Sequence, residues 1–125
     1  MIDRLEEASR LYGRGRQRMD AGALEEAVVL FEQSVALEPH FKTLELLGEC
    51  LDRLGRVREA IVPLAAATTL NAQVRAPALL ADVFLRLEQF EDARAMAELA
   101  LARDPANRAA RRVRTAVRDH TGDDG

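Results

Sequence analysis

Apolar side chains recur along this chain at intervals of three and four residues: Leu24, Ala27, Val28, Phe31 and Val35 in one stretch, and Val57, Ala60, Ile61 and Leu64 in another, with Thr68 continuing the second line. That spacing lays one face of an α-helix against a core, whereas a half-buried strand would alternate. Further stretches behave likewise at roughly 3 to 20, 42 to 54 and 76 to 87, the second through Leu44, Leu47, Gly48 and Leu51 and the third through Leu80, Ala81 and Phe84.

The two kinds of stretch alternate. Segments 22–39, 55–72 and 88–105 align without gaps at an offset of 33 residues, twice. Glu26, Glu59 and Asp92 precede Ala27, Ala60 and Ala93, and Leu24, Val57 and Phe90 stand three places before those alanines. A fixed period of this length marks stacked supersecondary units, here helical hairpins, each burying the apolar face of its neighbour. The punctuation agrees. Asp3 with Glu6 forms a helix start, Gly22 and Gly55 fall between the helices of a hairpin, and Pro39 and Pro105 close second helices. Pro77 suits a first turn, but Pro63 falls inside a second helix and predicts a bend near Val62. A last polar helix from Asn107 would cap the array.

A small residue in each first helix (Gly15, Gly48, Ala81), the alanines of each second helix, the bulky Phe31 and Leu64, a later small residue (Ser34, Ala67, Ala100) and the closing Pro39 and Pro105 together resemble the tetratricopeptide repeat. The resemblance covers residues 8 to 118. It implies an all-α, right-handed α-solenoid of three helical hairpins, about seven helices, in a single domain over 1–120. Repeats fall at about 8–40, 41–73 and 74–106, with a capping helix at 107–118 and a disordered tail at 119–125. Each unit is one residue short of the family's usual length of about 34. Arg14 and Arg18 take places that are apolar in the family and predict a loosely packed first helix. Glu88 replaces the turn glycine of the third repeat, and Ala97 replaces its bulky residue, predicting a shallow gap.

Composition narrows the class further. With 125 residues the chain builds one core, and 48% hydrophobic but only 4% aromatic residues, without Trp, favour helices over sheets. A formal charge of −3 and a pI near 5.4 argue against a general nucleic-acid binder. Of the 18 basic residues all but Lys42 are arginine. Cys50, the single cysteine, has no disulfide partner and suits a reducing compartment. The opening MIDRLEEASR lacks the basic and apolar regions of a secretory signal, and no apolar run nears the ~18 residues of a membrane span, so the expected location is cytoplasmic, without a membrane partner.

No catalytic set emerges. His40 and His120 lie in a turn and a tail, far from each other and from paired acids; Gly13 and Gly15 belong to a helical pattern with no Lys-Ser or Lys-Thr after them; Cys50, one turn from Leu47, packs as a small apolar residue. The expectation is a non-enzyme without cofactor or metal.

The chemistry is left to the surface. The resemblance implies that first helices line a concave groove for peptides, here through Tyr12, Arg16 and Met19, then Glu45, Glu49, Asp52 and Arg53, then Ala78, Asp82, Leu85 and Arg86. Glu45, Glu49 and Asp52 share one helix face and would suit a ligand with a basic or donor-rich middle. Glu45 and Glu49 stand where some family members carry the Lys and Asn that grip a C-terminal carboxylate, which disfavours chaperone-tail binding. Arg108, Arg111, Arg112, Arg114 and Arg118, spread around the last helix, offer an anionic-partner patch. The leading expectation is a protein-interaction module or adaptor whose partner is a protein or peptide, anchored by residues such as Tyr12, Met19 and Leu85. The alternatives are a self-associating scaffold subunit, a homodimer using Leu99 and Val113, and, last, nucleic-acid or anionic-polymer binding through the terminal arginines.

Overall fold

Side-chain caps begin three of the helices and left-handed turn residues follow the ends of four. The computed structural model describes residues 3–122, and the helices are α1 (Arg4–Asp20), α2 (Leu24–Leu37), α3 (Phe41–Arg53), α4 (Ile61–Leu70), α5 (Arg75–Arg86), α6 (Phe90–Arg103) and α7 (Arg108–Thr121), with a 3-10 turn at Arg58–Ala60. There is no strand among the described residues. Asp3 accepts from the Leu5 N–H at 3.1 Å, His40 Nδ1 from the Lys42 N–H at 3.1 Å and Asn107 Oδ1 from the Ala110 N–H at 2.9 Å, so each satisfies a donor that its helix cannot. Within the hairpins the chain reverses at Gly22, Gly55 and Glu88, with φ of 79°, 82° and 60°. Behind each, the same bond closes the first helix: Ala23 N–H to Arg18 O at 2.8 Å, Arg56 to Leu51 and Gln89 to Phe84, both at 2.9 Å. Glu88 thus adopts the conformation the glycines adopt, against the steric cost of a Cβ there.

A volume exchange between the two helices of each hairpin builds the core. A Cβ on Gly15 would meet Phe31 Cε1 at 2.6 Å, and a Cβ on Gly48 would meet Leu64 Cγ at 2.5 Å; Phe31 and Leu64 are fully buried. One repeat on, the pair is Ala81 and Ala97: the large side chain is gone and a methyl stands where the glycine stood. No shallow gap results at that position, because α7 lays Val113 and Val117 into the same cluster as Ala81, Ala93 and Ala97. At Arg14 and Arg18 the seam between α1 and α2 does open, into a depression of about 480 Å³ lined also by Glu26, Val29 and Leu30, while the rest of α1 packs closely. Arg14 and Arg18 point outward, Gly15 seats on the Phe31 ring, and the Ser34 hydroxyl donates to Ala8 O at 2.7 Å.

Between hairpins, the Arg103 guanidinium donates to the carbonyls of Thr68, Asn71 and Gln73 at 3.1, 3.0 and 2.9 Å, tying α6 to the exposed C-terminus of α4.

Two expectations are corrected. Pro63 does not bend a helix interior: α4 starts only at Ile61, so Pro63 lies in its first turn, where an N–H has no intrahelical acceptor, and the preceding residues tighten into a 3-10 turn through the Ala60 N–H to Val57 O bond of 3.1 Å. The final helix does not end at 118. It includes 119–121 and stops at Gly122, φ 70°, and His120 stacks on Phe90 with centroids 3.9 Å apart, a packing contact the polar sequence did not reveal. Residues 123–125 of the expected tail lie outside the described residues.

Candidate peptide-binding groove

The first helices α1, α3, α5 and α7 follow one another at one-repeat intervals, so residues 33 apart occupy equivalent places on one face. On α3 that face carries Glu45, Glu49 and Asp52, and every one of these acids is taken. Glu45, 1% exposed, receives Lys42 Nζ at 3.0 Å and Arg75 at 3.0 Å. Arg75 also bonds Glu49, while Arg86 bridges Asp52 at 2.6 Å and Asp82 at 3.0 Å. Burial works against the charge on Arg75 and on Arg86, but the carboxylates around each outweigh it and raise both above the ordinary arginine value. The expected acidic centre is therefore not a free surface. It is a set of ion pairs from α3 to α5, and Arg75, which no reading of the groove singled out, is its hub. Its signal lay one repeat ahead of Lys42, at an equivalent position whose reach is across, not along, the helix.

The other groove residues divide. Tyr12 is half-buried with its ring 6.1 Å from Phe31, and its hydroxyl accepts from Arg16 at 3.1 Å. Met19 and Leu85 pack partly against core clusters, Arg53 is exposed, and Ala78 is buried against Ala100 and Ala110 and offers nothing to a ligand. What remains open is a cleft of about 310 Å³ between α1 and the α2–α3 junction, walled by Leu5, Ala8 and Tyr12 and rimmed by Ser9, His40 and Lys42. Leu5 is 58% exposed there.

On α7 the buried residues are Ala110, Val113 and Val117, which confines the five arginines to the outward side instead of spreading them around the helix. Val113 is thus core and not a free interface residue, and Leu99 is half-buried. Cys50 is fully buried, and burial pushes its thiol up to about 11. Among the described residues no helix is long and apolar enough to cross a membrane, and no group of three or more His, Cys, Asp or Glu could hold a metal ion.

Comparison with known proteins accords with this geometry. No curated protein matches the sequence. Similar solved structures include the first tetratricopeptide domain of Spaghetti (RPAP3) bound to the HSP90 peptide SRMEEVD, with a TM-score of 0.87, 18% identity and 94% of both chains covered. The Arabidopsis OM64 tetratricopeptide domain matches with a TM-score of 0.86 and 17% identity over 94% of this chain and 99% of that one. The Yersinia enterocolitica type III secretion chaperone SycD, in complex with a peptide of the translocator YopD, matches at 0.81 and 19% over 90% and 93%. These likenesses concern the fold. The tetratricopeptide repeat profile matches residues 12–74 and 79–123, well over half of the sequence. With the period, the Gly–Phe and Gly–Leu exchanges and the repeated turns, that match makes this chain a member of the tetratricopeptide repeat family.

Proposed function

We propose that this chain is a non-catalytic protein-interaction module that holds an apolar-anchored protein or peptide segment in its concave groove, seated at the cleft beside α1. The cleft carries the reading: it is concave, walled by Leu5, Ala8 and Tyr12, and rimmed by groups that orient a backbone, while the acids further along are consumed in holding α3 to α5. The Spaghetti and SycD structures, which hold peptides, are consistent with such use. A reducing, cytoplasmic setting suits the buried free thiol of Cys50.

The test is selection from a random peptide library, then calorimetry with wild type, Leu5→Asp and Tyr12→Ala. Selected peptides should share one large apolar side chain, and Leu5→Asp should weaken them at least about tenfold with unchanged circular dichroism. Peptides without a common apolar residue, or indifferent to both variants, would contradict the reading.

A second reading, self-association as a scaffold subunit, is favoured by Val29 and Val62, 53% and 75% exposed and one repeat apart on the second helices. Light scattering after size exclusion separates the two: a monomer at high concentration sinks self-association. Nucleic-acid binding through the terminal arginines ranks last.

A further inference from the structure

The ion pairs that join one first helix to the next stop at α5. Counting by one repeat, Arg108 on α7 stands where Arg75 and Lys42 stand, Arg111 where Ala78 and Glu45 stand, and Arg118 where Leu85 and Asp52 stand. On α5, Arg75 has Glu45 and Glu49 to reach back to. Arg108 has no such pair behind it: the place of Glu45 is held by Ala78, and Asp82, in the place of Glu49, is bonded to Arg86. None of the five α7 arginines is ion-paired among the described residues. At ~100° per residue Arg108, Arg111 and Arg118 fall within roughly 80° of arc, opposite the buried Ala110, Val113 and Val117. The Arg111 Nε donates to Pro105 O at 2.8 Å, which fixes its head beside the helix start.

The placement works against the helix. An α-helix start carries partial positive charge, and α1, α2 and α6 meet it with Glu6 and Glu7, Glu25 and Glu26, and Glu91 and Asp92. In α7 the first turn has no acid and holds Arg108 and Arg111. A cation also opens α3 and α5, but there Glu45 supplies the counter-charge. Among the described residues, only at α7 are the same-sign charges left uncompensated, at the point where the groove continues past α5.

We infer that the C-terminal end of the groove, walled by Arg108, Arg111 and Arg118, receives an acidic segment of a partner protein, whose carboxylates take the place that Glu45 and Glu49 fill one repeat earlier. Guanidinium forks match carboxylates in pairs. An acidic peptide fits better than a nucleic acid. The face carries no free aromatic ring on which bases could stack, since His120 is spent on Phe90, and a chain of net charge −3 repels a long polyanion beyond the local patch. This site is separate from the cleft beside α1 and does not depend on it.

Fluorescein-labelled hexaglutamate is titrated by anisotropy at 50 mM NaCl against wild type, against Arg111→Glu with Arg118→Glu, and against Arg112→Glu with Arg114→Glu, which changes the net charge equally but off the groove face. Binding should fall at least about tenfold in the first pair and less than about threefold in the second. An acid at position 111 favours the helix start and one at position 118 disfavours the helix end, so the first pair should keep the circular dichroism spectrum of wild type. Leu5→Asp should leave hexaglutamate binding unchanged, so loss of the cleft and loss of this site read out separately. No binding of hexaglutamate by wild type, equal loss in both pairs, or tighter binding of hexathymidylate than of hexaglutamate each overturns the proposal.

Discussion

Replacing Gly48 by alanine would ordinarily strengthen a helix interior by roughly 1 kcal/mol. Here the added Cβ lies 2.5 Å from Leu64 Cγ and 2.6 Å from Cδ2, in a residue with no exposed surface into which it can move. Overpacking costs roughly 1–3 kcal/mol, and a contact this short on an enclosed side chain falls at roughly 2–3 kcal/mol of that range, so the single variant should lose about 1–2 kcal/mol net. Leu64→Ala, which empties a fully buried site, should lose about 3 kcal/mol within the usual range of roughly 2–5. The double variant recreates the Ala81 and Ala97 pair of the third hairpin. The clash vanishes, the helix gain returns, and the new methyl fills part of the space. Its loss should be near 2 kcal/mol where additivity gives between about 4 and 5, a coupling of about 2–3 kcal/mol. Urea titrations followed by circular dichroism measure it. Losses that add to within about 0.5 kcal/mol would refute the idea that these positions exchange volume.

Further consequences concern the turn, the ion pairs and the thiol. Glu88→Gly should stabilise by roughly 0.5–1 kcal/mol, since it removes a Cβ from a φ of 60°; a thermal melt unchanged or lowered would mean that the glutamate is favoured there. Arg75→Ala leaves Glu45 buried with only Lys42, and should lose about 2 kcal/mol, discounted because Arg75 is itself 43% exposed. Adding Glu45→Ala, the residue found at the equivalent Ala78, should recover most of it in the same urea assay. The Cys50 thiol, raised from 9.0 to about 11 by burial, is neutral in the folded chain where the unfolded chain already ionises. Its contribution is complete below pH 9 and is lost as pH rises toward 11, roughly 2–3 kcal/mol in all. Stability measured from pH 8 to 11 should therefore fall more steeply in wild type than in Cys50→Ala, and parallel curves would contradict the burial of the thiol.

Periodicity carried the fold, because each helix pays its ordering entropy from one apolar face and that face is written at 3.6-residue spacing. The period of 33 residues then located Gly22, Gly55 and Glu88 in the same turn, including the one that is not glycine. Pro63 misled because the start of α4 depends on a 3-10 turn, which leaves no mark in apolar spacing. The tail misled for a different reason: His120 is held by the Phe90 ring, a contact between residues 30 apart. The groove was legible as a face but not as a charge balance. Glu45, Glu49 and Asp52 could be placed together by counting along one helix, whereas their neutralisation by Arg75 and Arg86 depends on how α5 packs against α3. The cleft beside α1 brings Leu5 and Tyr12 to His40 and Lys42, and no local pattern records that approach.

The central claim is that a protein segment seats in that cleft. Titrating the tightest library-selected peptide into 15N-labelled protein, and following the backbone amides, tests it most directly. Shifts concentrated at Leu5, Ser9, Tyr12, His40 and Thr43 are the predicted result; shifts gathered at Val29 and Val62 instead, or a library that yields no binding peptide, would contradict it.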